Sequence, residues 1–463
     1  MLISSDMESN AAAKKELTLW ESLKILFGAS KGFWLVNMVN FGDGIAYFGI
    51  LTLMTRFLGT RVGMSDQWTG VSVSMFTGLV TLFMFGGGFV SDKLGVRRAL
   101  SLCLSFILIG RIILSAIPWM GQTYMASALS WIALLVMAFG EGIIQPALYA
   151  GIKEYTDSRT ATIGYGLLYS IMNLGIVAEN FISPFVRTKD VFLDLKFAQI
   201  VGLGWGIDGV FWTCVFITGA MLLGHLTLFT RQVEETHRVV VESAKENTAH
   251  IPWRERLKEL PFLNLRFMSF IFILLPVRTL FAHQFLTMPD YIFRAYPAGV
   301  SAKFEWINGL NPLIIVIFVP LIAAMTRKAN IVTMMIIGTS ISALTTFILV
   351  PGPDLTRLLL YVALFSLGEA VWSSRFLEYV ADIAPAGKVG AYMGLAGIPW
   401  FLAKFTTGLY SGFMLERFVP AKGALDTGTL WLIYGCIACI SPLSLLVTRH
   451  WIAPKKNGNM SFG

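Results

Sequence analysis

The chain has 463 residues, of which 55% are hydrophobic and 14% charged, with a formal net charge of +8. Soluble domains carry about 25% charged residues, so this balance excludes an ordinary soluble domain and points to a chain built for lipid. The positive charge does not indicate nucleic acid, because the charged residues gather in short loops between apolar runs. Residues 1–31 are polar and include Lys14, Lys15 and Glu16, which is unlike a cleavable signal peptide. Within them the stretch 17–27 is too short to span a bilayer and reads as an amphipathic helix on the cytoplasmic surface. Twelve apolar segments of about 20 residues or more, enough to cross a bilayer, follow in two sets of six. The first set falls near 32–58, 68–91, 99–118, 123–152, 161–186 and 207–230. The second falls near 263–292, 304–326, 330–350, 356–382, 389–415 and 428–450.

The expected organisation is a cytoplasmic tail (1–31), a six-helix bundle (32–231), a polar linker (232–262), a second six-helix bundle (263–451) and a second tail (452–463). The linker holds Glu234, Glu235, Arg238, Lys245, Arg254 and Lys258. The glycine-rich run 202–206 before segment six reads as a flexible external loop. Lysine and arginine settle on the cytoplasmic side of membrane proteins. With the amino terminus inside, the cytoplasmic loops and tails hold 22 of these residues and the external loops 10. Both termini are therefore expected to be cytoplasmic, in the cell (inner) membrane. Cys103, Cys214, Cys436 and Cys439 all lie inside apolar runs, where they read as small packing residues and imply neither disulfides nor a metal site.

A repeat organises this pattern. The stretch from Phe139 to Tyr155 places Glu141 and Pro146 inside an apolar run, and 228 residues later the spacing returns without a gap. Gly140-Glu141 maps onto Gly368-Glu369, Glu154 onto Asp382 and Gly166 onto Gly394. Both copies fall in the fourth segment of their set. Two halves related by a repeat, each with an acid near the membrane midplane, are the mark of a secondary transporter.

The loop after segment two, Gly88-Phe89-Val90-Ser91-Asp92-Lys93-Leu94-Gly95-Val96-Arg97-Arg98, resembles the signature G-x-x-x-D-[RK]-x-G-x-[RK]-[RK] of the major facilitator superfamily. Gly95 permits a tight turn, Asp92 can face a helix amino terminus, and Arg97 can pair with acids ending segment four, Glu154 and Asp157. The resemblance implies an all-α membrane protein of twelve helices in two six-helix bundles related by pseudo-two-fold symmetry. It also implies that Asp92 meets the start of segment eleven, around 387–390, so that Asp92, Arg97, Arg98 and Glu154 form a cytoplasmic gate.

Finer motifs are similar to those of proton-dependent oligopeptide transporters. Leu168-Tyr169-Ser170-Ile171-Met172-Asn173-Leu174-Gly175 resembles that family's F-Y-x-x-I-N-x-G, and Asn311-Pro312-Leu313-Ile314-Ile315 its N-P-x-x-I. Asp43-Gly44-Ile45-Ala46-Tyr47-Phe48-Gly49 stands where the family has E-R-F-x-Y-Y-G, and Gly140-Glu141-Gly142-Ile143-Ile144-Gln145-Pro146 where it has G-N-G-x-x-K-P. The resemblance implies that Asn173, Asn311 and Glu369 hold a cargo amino group. The family's carboxylate-binding positions fall on Gly44, Leu51 and Gln145, none charged, and its first glutamate falls on Asn40. The amine clamp survives here and the carboxylate clamp does not.

Ionisable residues inside a membrane are costly and mark function. They are Asp43, Arg111, Glu141, Glu179, Arg278, His283, Glu369, Arg375, Glu378 and Lys404. An acid near a cation that moves during a conformational change loads or releases a proton. Asp43, Glu141 and His283 are the candidates for this coupling, the acids paired with Arg278 or Arg375. Arg111 and Lys404 read as cations that pair with acids between helices, Glu378 as a partner of Arg375 on its own helix, and Glu179 as a residue near the external end of segment five. Tyr47, Tyr149, Tyr169, Trp306, Trp372 and Trp400 are candidate cavity aromatics, and Gln145, Arg278 and Arg375 complete the candidate binding set.

The reading is a proton-coupled symporter of a small polar, amine-bearing or peptide-like solute, working by alternating access as a monomer in the bilayer, with no cofactor, metal or nucleic acid. A facilitator that exports another solute (drug, amphiphile or sugar phosphate) and a non-transporting sensor or scaffold are the alternatives. No nucleophile–base arrangement, metal spacing or phosphate loop suggests an enzyme.

Overall fold

The computed structural model describes residues 28–156, 161–189, 191–195, 198–237, 264–326, 329–383 and 398–452. The amphipathic stretch 17–27, Asp157, Gly394, most of the linker and the start of segment eleven lie outside them, as do the side chains of Asp92, Glu378 and Asp382.

Among the described residues the chain forms twelve long helices at the places the apolar runs predict. The first six are α1 (Lys31–Phe57), α2 (Asp66–Leu94), α3 (Val96–Ala116), α4 (Tyr124–Tyr155), α5 (Ala161–Arg187) and α6 (Gly206–Leu228). The second six are α7 (Leu265–Leu286), α8 (Phe304–Met325), α9 (Ile331–Thr345), α10 (Leu355–Ile383), α11 (Ile398–Phe418) and α12 (Thr427–Ile452). Several starts are fixed by side-chain caps: Ser30, Ser65, Thr123, Asn264 and Asn330 each accept from a backbone amide of the first turn. Gly95 joins α2 to α3 at φ +76°, a conformation open to glycine and strained for other residues, which accounts for the glycine of the loop motif.

Two local features were not foreseen. The external link after α5 is an antiparallel hairpin, β1 (Val191–Leu195) with β2 (Ala198–Val201). The glycine-rich run behind it is a folded turn: Leu203, Gly204 and Trp205 donate backbone bonds to Phe185, Thr188 and Val186. Gly204 and Gly206 both take positive φ there. Segment seven is also broken. It ends as a helix at Leu286, and the chain turns at Thr287 into a short helix, Met288–Ala295.

The packing is twofold in pattern. In the first half α3 packs on α4, α2 on α4, α1 on α5 and α6, and α3 on α6. In the second half α9 packs on α10, α8 on α10, α7 on α11 and α12, and α9 on α12, the same scheme six helices later. The halves meet along α2 with α11 and α5 with α8, again a symmetric pair. Seven of the helices (α3, α4, α6, α7, α9 with its following 3-10 turn, α10 and α12) are long and apolar enough by composition alone to cross a membrane. Gly70, Gly408 and Gly412 bring α2 and α11 into backbone contact: a Cβ on Gly412 would sit 2.2 Å from the Asp66 carbonyl oxygen. The protein is a multi-pass membrane protein.

Candidate transport site and gate

The buried charges of the first half collect around one arginine. Arg111 on α3 is fully buried, and its Nη2 lies 2.8 Å from Glu141 Oε1 on α4 and 3.5 Å from Asp43 Oδ1 on α1. Its Nη1 donates to Thr218 Oγ1 on α6 at 2.5 Å. One guanidinium therefore ties four helices together, and it faces two carboxyls. The expected partners of Asp43 and Glu141 were Arg278 and Arg375; the structure corrects this to Arg111, a cation the sequence placed among the helix-pairing residues. Residue spacing cannot reveal which way a helix turns its charged face, so α3 gave no sign of it.

In the second half the equivalent acid has neutral partners. Asn311 Nδ2 on α8 donates to Glu369 Oε2 on α10 at 2.8 Å and to Ser366 Oγ at 3.0 Å. Arg278 on α7 lies over the rings of Phe376 and Trp372, 4.4 and 5.1 Å from their centroids, and its field reaches Glu369. The buried Trp372 Nε1 has no hydrogen-bond partner. Arg375 Nη2 donates to Thr326 Oγ1 at the end of α8. From the first half Asn173 donates to the Tyr169 carbonyl at 2.9 Å. The Tyr169 side chain interacts with the Asn173 amide and lies within electrostatic reach of Glu369 and Arg278 across the halves. Asn311 and Glu369 are thus joined directly, and Asn173 is related to them through Tyr169.

Two of the three positions aligned with the family's carboxylate site are closed by packing. Gly44 lies where α1 crosses α5, and a Cβ there would stand 2.6 Å from the Met172 carbonyl oxygen. Leu51 is buried in the core, and Gln145 is half-buried on α4. Asn40 donates to the Leu168 carbonyl at 2.6 Å, a packing bond between α1 and α5.

His283 does not join the acid cluster. Its ring stacks on Tyr434 at 3.7 Å, Nδ1 bonds with Thr287 Oγ1 at 2.8 Å and Nε2 with the Tyr410 hydroxyl at 3.1 Å. Both nitrogens are engaged inside the second bundle. Glu179 is buried between α1 and α6, against Gly49, and its carboxyl interacts with the Ser183 hydroxyl one turn on. Of the aromatic candidates, Tyr149 and Tyr169 are exposed, whereas Tyr47 packs on Phe76 and Trp400 on Phe281. Trp306 meets Phe181 edge-on across the halves.

Ion pairs between the halves lie on the face opposite the termini. Arg187 at the end of α5 grips Glu305 at the start of α8 with two bonds of 2.5 and 2.6 Å. Arg294 does the same to Asp66 at 2.7 and 2.8 Å, and Arg56 reaches Asp290 at 3.2 Å. These pairs join residues between 118 and 234 apart in sequence, which is why the chain alone did not disclose them. On the face that carries the termini, no ion pair between the halves occurs among the described residues. There Arg97 donates to Glu234 at 3.0 Å, within the first half and with an acid the sequence assigned to the linker. Arg98 is exposed beside them, Glu154 is half-buried at the end of α4, and Asp92 lies in the last turn of α2. The structure is closed on the face opposite the termini.

A twelve-helix, twofold membrane fold with charged residues buried in both halves and a gate across one face defines a transporter rather than an enzyme. Comparison with known proteins agrees. The sequence model of the Major Facilitator Superfamily matches residues 4–178. The dipeptide and tripeptide permease A of Citrobacter koseri is 22% identical over 484 residues, covering 93% of each chain. Among solved structures, a peptide transporter of the POT family in complex with sulfate matches with a TM-score of 0.69 at 17% identity, over 92% of this chain and 96% of its own. The nucleoside transporter NupG, as a point mutant, matches with a TM-score of 0.70 at 14% identity, over 90% and 99%. The chain has the fold of major facilitator superfamily transporters, and its residues 4–178 match that superfamily's sequence model. It resembles a divergent member of the proton-dependent oligopeptide transporter family.

Proposed function

We propose that the protein is a proton-coupled symporter of a small amine-bearing, peptide-like solute, lodged in the cell (inner) membrane with both termini cytoplasmic. The observation that carries the cargo reading is the Asn311–Glu369 bond, in register with the amine clamp of the oligopeptide transporters. The Glu369 carboxyl, bonded to the neutral Asn311 amide, is an acceptor that a ligand ammonium can meet, with Tyr169, Arg278 and Trp372 near it and Asn173 beside Tyr169. The curated relative's name, a dipeptide and tripeptide permease, supports the same class. The closed positions at Gly44 and Leu51 argue for a cargo whose acid end is masked, absent or bound elsewhere, Gln145 being the polar group left for it.

Asp43 and Glu141 are the residues to exchange the driving proton, and His283, with both ring nitrogens engaged, is the weaker candidate. The bundles 32–231 and 263–451 rock about the α2–α11 and α5–α8 seams. In the other half of the cycle Asp92, with Arg97, Arg98 and Glu154 behind it, closes the terminal face against the start of segment eleven. Asp92→Asn would favour opening on that face, read as longer distances between paired spin labels across it. The cargo reading is tested in proteoliposomes with dialanine, its amide-capped form and a simple amine, with and without an imposed proton gradient. Accumulation of the capped peptide under the gradient is the expected result; equal uptake of sugar phosphates and no response to any amine would sink it.

A further inference from the structure

The cluster in the first half has an unbalanced charge. Asp43 and Glu141 bring two carboxyls to one guanidinium, and all three side chains are at most 7% exposed. The groups that face them are otherwise uncharged: Tyr47 on α1, Cys103 on α3, and Cys214 and Thr218 on α6. His283 on α7 is turned to Thr287 and Tyr410, and Glu179 on α5 lies toward Glu305. Arg111 balances one carboxyl and leaves the other over. Leaving an ion unbalanced in a low-dielectric interior is costly.

The remaining cation comes from the opposite half. Lys404 on α11 is buried, yet its ammonium reaches across the seam to the first bundle. Nζ lies 3.4 Å from the Tyr47 hydroxyl and between 5.0 and 6.0 Å from the ring centroids of Tyr47, Phe48, Phe285 and Trp400. Two of those rings belong to each half. Its charge acts on Glu141, and Tyr47, which it contacts, lies within electrostatic reach of both Asp43 and Glu141. The neighbouring turns of α11 are the closed seam itself: the Phe405 carbonyl accepts from Ser74 at 2.7 Å, and Gly408 meets Gly70. A motion that opens this face must carry Lys404 away from α1, while Arg111 travels with the acids.

We propose that Lys404 is the moving counter-cation of the Asp43–Glu141 pair, balancing the surplus carboxylate while the face opposite the termini is closed and leaving it to take a proton when that face opens. The proton enters from water on the open face and binds one carboxylate oxygen. On closure the returning ammonium restores the carboxylate, and the proton leaves toward the terminal face. Arg111 is then the fixed partner that keeps the second carboxyl ionised throughout. This rests on the proton-coupled reading above and gives it a cross-bundle residue, positioned to act on the acids rather than on cargo.

The test uses the full chain in lipid nanodiscs, without cargo, read by the infrared carboxylic-acid C=O band at neutral pH. Lys404→Gln is expected to show an additional protonated carboxyl relative to the parent chain, Lys404→Arg none, and Lys404→Gln/Glu141→Gln to lose the added band. Spin-label distances across the face opposite the termini run alongside. They are expected to acquire a pH dependence in Lys404→Gln that the double variant lacks. An unchanged spectrum in Lys404→Gln overturns the proposal. Should that variant fail to fold, the double variant decides: recovered folding supports the shared charge, and the same failure overturns it. The band needs no cargo, so a dialanine assay that finds no gradient-driven uptake would defeat the transport reading while leaving this result standing.

Discussion

Glu141 and Glu369 occupy equivalent places in the two halves, 228 residues apart and each preceded by a glycine that lets the previous helix pack close. Their surroundings have diverged. Glu141 is locked by a buried guanidinium and shares it with a second acid; Glu369 is held by the amide of Asn311 and has its cation stacked away on aromatic rings. A duplicated acid has thus been given two environments. Two acids sharing one fixed guanidinium suit a group whose protonation follows the movement of a second cation, and a neutral hydrogen-bond partner leaves a carboxyl open to a cation that a ligand brings. The difference lies in α3 and α8 rather than in the glutamates.

The largest expected effect breaks the first environment. Arg111→Met leaves two buried carboxyls without a fixed cation, and removing one partner of a buried ion pair costs about 3–5 kcal/mol. The loss would appear as reduced thermal stability in detergent, partly recovered by adding Glu141→Gln. A parent-like melting curve for Arg111→Met would show that the charge cluster is not what holds α1, α3, α4 and α6. Next is Glu369→Gln, which keeps the shape of the second environment and removes its charge. Hydrogen bonds to charged groups contribute about 1.5–3 kcal/mol, so affinity for an amine-bearing peptide should fall roughly 10- to 100-fold with stability unchanged. Calorimetric titration with the capped peptide measures it; equal affinity in both proteins would remove Glu369 from the binding site.

A smaller effect separates the acids from the gate. Arg187→Gln leaves Glu305 buried with the Ser183 hydroxyl as its remaining hydrogen-bond donor. It should favour opening on that face by about 1.4 kcal/mol or more, roughly tenfold in population. Paired spin labels would report this, and the same substitution should leave the Arg111 cluster intact by double-mutant cycle. The smallest effect is expected at Arg97–Glu234, where both side chains are about one-fifth exposed. Such pairs are worth about 0–1 kcal/mol, so Glu234→Gln should change stability little. A large loss would make the α2–α3 turn a structural clasp.

Much of the fold was legible because long apolar runs leave few alternatives in a bilayer, and the twelve predicted segments fall on α1–α12. The site was legible in part. The Asn311–Glu369 bond followed from motif register, since residues of matched helices keep their neighbours. The Arg111 partnership was not, because Asp43, Arg111 and Glu141 come from three helices whose rotations the sequence leaves free. The gate pairs escaped for a related reason: Arg56, Asp66, Arg187, Asp290, Arg294 and Glu305 look like ordinary helix-end charges until the halves are brought together. Segment seven breaks at Thr287, and Pro289, in the first turn of the helix that follows, is the sign of the break that the continuous apolar run concealed.

The crossing of α2 and α11 has a consequence for the resting cell. Where Gly70, Gly408 and Gly412 meet, backbone touches backbone, with only the small Ser74 side chain against Gly408, and little space is left for a file of water. Protons travel along such files, so a seam sealed this way keeps an idle carrier from short-circuiting the membrane potential. Gly412→Ala would wedge the seam, since its Cβ would stand 2.2 Å from the Asp66 carbonyl oxygen. The expected sign is an acid leak into vesicles that contain no cargo at all.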